Sequence, residues 1–218
     1  MADTSYYRVL LDEEWSLVDL YEFPRSYGQS YAFIYCFDSD VNPTDRTRIN
    51  RALEQYPWQG GYSYVNIYTV LQNQIPKNDI PRIKWITKTS PGWLDLFLNV
   101  NVAIQVAQAV MSLSAASTAA ALAYKTILKS LTAINNERKR SGLEEMQLAH
   151  AQAEMITSMC SEMATFMGFK SLQELHRYTG NPEVTLKLTL AHYRRVSSLV
   201  EYVHEGKATL PLDQRVNI

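Results

Sequence analysis

From Leu96 to Tyr124 the chain runs for 29 residues without a charge, a glycine or a proline. Nothing else in its 218 residues narrows the possible folds so much. A helix with no ionic group around its circumference must be covered by protein or by lipid on most of its sides. At about 1.5 Å per residue such a helix would be about 43 Å long. Length and lack of charge meet the requirement for a membrane span. The content argues less strongly, because residues 102–124 hold nine Ala and six Gln, Ser or Thr.

The flanks suggest that the helix is longer still. In Ser90-Pro91-Gly92-Trp93, Ser is a preferred N-cap and Pro a preferred first residue, and Asp95 would sit in the first turn, where a helix dipole favours an acid. Downstream, Lys125, Lys129 and Arg138-Lys139-Arg140 continue the pattern to a stop at Gly142. Residues 125–141 carry five basic and one acidic side chain, a local +4 in a chain whose net charge is −1. The expectation is one small-residue helix over 91–141, serving oligomerisation or membrane insertion.

Its surface is two-sided. Asn101, Gln105, Gln108, Ser112, Ala115 and Ala119 recur at spacings of four and three, a heptad seam of polar and small side chains. Val100, Ile104, Ala107 and Met111 lie on another face. In a membrane oligomer, Asn101, Gln105, Gln108 and Ser112 would bond across helices or line a pore. Trp93 and Tyr124 would then mark the interfaces, with the basic block facing the cytoplasm. In a protein bundle the alanines would let neighbouring helices approach closely. Both readings stay open at this point.

The rest of the chain reads as a small α+β module over 1–90 and a helical domain over 142–218. Residues 7–11 and 82–89 predict two strands that pair with each other. In the second, Ile83, Trp85 and Thr87 should share one face and Lys84, Ile86 and Lys88 the other. A helix from Asp12 is interrupted at Pro24 and resumes through Tyr27, Tyr31 and Tyr35 to a turn at Asp38-Ser39-Asp40. Thr44 caps a helix ending before Pro57, Gly60-Gly61 is a loop, and Tyr64 to Leu71 is helical. Helices over 144–166, 172–178 and 182–204 follow, punctuated by Gly168, Gly180 and Gly206, with an extended tail. The fold class is therefore mainly α with a minimal β-sheet.

Catalytic constellations are not evident. No GxSxG, GxGxxG or phosphate-loop motif occurs, and the four histidines show no metal-ligand spacing. Glu201 and His204 form a single ExxH where a di-iron bundle needs two. Cys36 and Cys160 read as buried, reduced thiols. The expectation is a chain that is not an enzyme and needs no metal or cofactor. Two groups could bind a partner instead. Met155, Met159, Met163 and Met167 form an i, i+4 stripe of adaptable side chains, suited either to a core seam or to a partner helix. Arg46, Arg48 and Arg51 form a cationic face for an anion. Arg194-Arg195 beside Tyr193 and His192 is a weaker phosphate-contact candidate. The near-neutral net charge argues against a nucleic-acid partner. Met1 to Ser5 show no secretory signal, so the chain is expected in the inner membrane or the cytoplasm.

The segment from Arg82 through Ser90-Pro91-Gly92 to Leu96, with Trp15 to Tyr21 and Tyr27 to Phe33, resembles a loose group of bacterial proteins. Some of these accompany anti-phage defence operons as effectors, and the Hailong-type membrane effector is a named example. The likeness covers roughly residues 7–100. It implies a non-enzymatic, homo-oligomeric effector whose helix around 94–124 assembles into a membrane channel or bundle, under a regulatory protein or nucleotide-synthesising partner. The motifs are structural, so the resemblance assigns no functional residue. The alternative is a scaffold or regulatory subunit that binds a partner through its C-terminal helices.

Overall fold

Strand β1 (Tyr6–Leu11) buries Tyr7 and Val9 completely, while Tyr6, Arg8 and Leu10 alternate onto its other face. It is one of two inner strands of a four-stranded antiparallel sheet ordered β2-β3-β1-β4, with β2 at Arg82–Thr87, β3 at Gly92–Phe97 and β4 at Ala208–Thr209. The computed structural model describes residues 6–37, 40–56, 63–87, 89, 92–141 and 150–213. The turn expected at Asp38-Ser39, the loop at Gly60-Gly61, the stop at Gly142 and the helix start at Glu144 lie outside these residues.

Eight helices accompany the sheet among the described residues: α1 (Leu17–Phe37), α2 (Pro43–Glu54), α3 (Ser63–Asn73), α4 (Val100–Ala115), α5 (Ser117–Ser141), α6 (His150–Phe166), α7 (Leu172–Thr179) and α8 (Pro182–His204). The chain is thus mainly α with a small antiparallel sheet. Helix α8 is the centre, packing against α1, α4 and α6. One apolar core extends from Tyr7 to Leu210. Each large side chain fully buried there stabilises the fold by about 1.5–3 kcal/mol before entropy is counted. Tyr31 ties three elements together. Its hydroxyl donates to the Asp79 carbonyl at 2.8 Å and accepts from the Asn99 N–H at 3.0 Å, just before α4.

The expected long helix is not one rod. Residues 92–97 form β3, because the alternation of Leu94 and Leu96 fits the sheet's buried face. On the opposite face the Asp95 carboxylate accepts two bonds from Arg8, at 2.7 and 2.9 Å. This pairing with β1 outweighs the local Ser-Pro helix signal. The helix starts at Val100 instead, where the Asn99 side chain accepts from the Asn101 and Val102 N–H groups. It then bends by 86° at Ala116 into α5. Neither Gly nor Pro marks this bend. Packing makes it, since α4 lies on α8 and α1 whereas α5 runs along α6.

Other expectations shift by smaller amounts. Strand β2 pairs with β3 and not with β1. Helix α1 passes through Pro24, driven by the buried aromatic face of Phe23, Tyr27 and Tyr31. Helix α2 is capped by Asn42, whose side chain accepts from the Asp45 N–H, with Pro43 and not Thr44 at its start. No single helix among the described residues is long and apolar enough to cross a membrane.

Candidate functional site

Among the described residues strand β2 is the long free edge of the sheet, since β3 flanks it on one side only. It carries bulk where an edge is normally plain. Ile83 is 54% exposed and Trp85 63% exposed, and Ile86 is also open. A register shift between Ile83 and Trp85 extrudes Lys84 as a bulge. This overturns the simple alternation read from sequence. Ile83 and Ile86 oppose Leu96 and Leu94 on the inner face, while Trp85 opposes Asp95 on the outer one. The Lys84 ammonium lies over the Tyr6 ring at 4.1 Å. The Arg82 guanidinium has no hydrogen-bond or ion-pair partner among the described residues.

A cavity of about 310 Å³ opens beside this edge, lined by Phe23, Tyr27, Ile75, Ile80, Ile83 and Leu94, among others. Pro24 and Gly28 of α1 form its other wall. Helical spacing extends that wall outward, because Leu17, Leu20 and Tyr21 precede Pro24 by seven, four and three residues, and all three are exposed. Unpaired backbone, an apolar hollow and an exposed apolar helix stripe therefore meet at one place. Such a surface has two known uses, partner docking and strand addition. The residues of β2 identify it as a strand, whereas its edge position follows only from the register.

The residues singled out from sequence are dispersed. Asn101, Gln108 and Ser112 are exposed along α4, and Gln105 is half-buried. The Ser112 hydroxyl faces Gly168, where a Cβ would lie 3.3 Å from it. The methionine stripe runs from surface to core: Met155 is 39% exposed, Met159 is half-buried, and Met163 and Met167 are buried. The arginines do not act as a group. Arg46 donates to the Cys36 carbonyl at 2.7 Å, Arg48 to the Gln74 carbonyl and the Asp45 carboxylate, and Arg51 is exposed. Arg194 donates to the Tyr124 hydroxyl, and Arg195 lies over the Tyr68 ring.

Both thiols are buried, and burial pushes Cys36 and Cys160 up to about 12, far from the range of a reactive thiolate. His204 sits 2.8 Å from the Ser114 hydroxyl. Among the described residues no group of three His, Cys, Asp or Glu could hold a metal ion. Comparison with protein-family models, with curated proteins and with solved structures finds no match to this chain.

Proposed function

We propose that this chain acts by docking, as a regulatory or scaffold subunit. Strand β2 accepts an extended segment of a partner protein as an additional strand. The segment's apolar side chains enter the hollow beside Ile80 and Ile83, and its carboxylates face Arg82 and Lys84. The observation that carries this reading is the coincidence, on one edge, of unpaired backbone, exposed Ile83, Trp85 and Ile86, and the adjoining cavity. Charge selects the occupant. Two copies joined edge to edge would bring Arg82 and Lys84 against their own kind, and lysine and bulges on an edge discourage such self-pairing. An acidic, alternating segment meets no such penalty.

The test is selection of displayed random peptides on the intact protein. Enriched sequences are expected to alternate apolar and acidic residues, and Ile83→Asp is expected to recover none of them. Enrichment without that pattern, or enrichment indifferent to Ile83→Asp, would overturn the reading.

The membrane-active, oligomeric effector implied by the resemblance is a second reading, and one observation favours it. Helix α4 and residues 117–137 of α5 together have the length and apolar content of a broken span. A straight span would require the 86° bend to open and Val102, Val106 and Val110 to leave the core. That is a large rearrangement, whereas strand addition needs none.

A further inference from the structure

Four segments converge on a second, smaller cavity of about 60 Å³: α1 at Ile34, α4 at Gln105 and Gln108, the turn after α6 at Lys170, and α8 at His192. We infer that this cavity is a binding site for a small oxyanion, a carboxylate or phosphate group held between Lys170 and Gln108 at the mouth and His192 at the floor.

The floor is the unusual part. His192 is 1% exposed and lies flat on the Phe33 ring, with centroids 4.0 Å apart. Neither of its ring nitrogens has a hydrogen-bond partner among the described residues. A buried polar atom left unpaired costs about 1–3 kcal/mol, so native folds almost always satisfy such atoms. A neutral imidazole carries one N–H and one bare nitrogen, so an acceptor in the cavity satisfies the first and a donor such as water the second.

The size limits what that can be. About 60 Å³ holds a few waters or a group of four or five heavy atoms, since a water needs roughly 10–15 Å³ of such space. It is far below the size of a typical cofactor pocket.

The lining gives the sign of the charge. Among the described residues Lys170 is the one charged side chain lining the cavity, and no carboxylate lines it. Both Lys170 and Gln108 are exposed, and neither side chain makes a hydrogen bond or ion pair among the described residues. An ammonium, an amide N–H₂ and an imidazole N–H are all donors, and an oxyanion accepts from each. A cation or a metal would find no carboxylate here. Burial leaves the imidazole neutral, pushing it down to about 3, and a neutral ring still donates one N–H. Two of the four residues of the polar seam noted in the sequence, Gln105 and Gln108, thus face this cavity.

The experiment uses the full chain, with the His192 ring followed by nitrogen NMR. Acetate, inorganic phosphate and a simple phosphate monoester are added in turn at constant ionic strength, against a chloride control. At least one of the three is expected to shift the His192 ring signals at millimolar concentration. Lys170→Met is expected to weaken that binding roughly tenfold or more, as loss of a charge-assisted bond predicts. Gln108→Leu should weaken it less, and both exposed positions should leave the fold intact. A response to the monoester but not to free phosphate would indicate a group carried on a larger molecule. The inference is overturned if the His192 signals do not respond to any of the three beyond the chloride control. It is equally overturned if Lys170→Met binds as the unmodified protein does, which would make the cavity a water site.

Discussion

Lowering the pH from about 7 to about 4 is expected to cost the native state about 3 kcal/mol through His192 alone, and His192→Phe is expected to abolish that part of the loss. In the fold, burial holds this imidazole's pKa near 3, against an ordinary value of 6.5. Above the ordinary value the ring is neutral in both the folded and the unfolded chain, and it contributes nothing. As the pH falls through that value the unfolded chain takes up a proton that the folded chain refuses, so stability drops until the folded value is approached. Phe keeps the stack on Phe33 and removes two ring nitrogens that no described residue satisfies, so the variant should be no less stable at neutral pH. Urea unfolding of both proteins across this range, with chloride as the supporting anion, checks the prediction. Parallel stability curves would contradict it.

The second large effect concerns the β2–β3 hairpin. Gly92→Ala is expected to destabilise the protein by roughly 2–4 kcal/mol. A Cβ at Gly92 would lie 2.5 Å from the Thr87 carbonyl oxygen and 3.0 Å from that of Thr89. Both obstacles are backbone, so neither can swing aside. The sign of the effect is informative in itself. If residues 92–97 were helical, as Ser90-Pro91 invites one to expect, Ala in place of Gly would stabilise by about 1 kcal/mol. Thermal or urea denaturation of the variant separates the two cases, and a gain in stability would remove β3 and the docking edge with it.

The helices whose ends are set by local chemistry were legible from sequence. Helix α8 begins at Pro182 behind the Asn181 cap, and Gly180 and Gly206 take the left-handed conformation that ends α7 and α8. What sequence could not show was decided between distant segments. Asp95 reads as a first-turn helix acid until Arg8, 87 residues away, turns out to be its partner. The bend at Ala116 has no local marker and depends on what α8 and α6 offer to each half. Alternation in β2 fails because the bulge at Lys84 inverts it, a feature invisible without the register against β3.

The two cavities were legible to different degrees. His192 carried a usable signal, since it falls four residues after Leu188 and four before Val196 on the buried side of α8. A histidine on an apolar stripe invites the question of what satisfies it. The docking edge carried almost none. Ile83, Trp85 and Ile86 look like ordinary strand residues, and their exposure follows only from β2 being outermost.

Strand addition at that edge is tested most directly by amide hydrogen exchange across β2 while a short peptide of alternating valine and glutamate is titrated onto the intact protein. A valine–lysine peptide of the same length serves as the control. The account predicts that the acidic peptide slows exchange at the β2 amides not already bonded to β3, that the basic peptide does not, and that Ile83→Asp removes the difference. Equal protection by both peptides, or none by the acidic one, would contradict it.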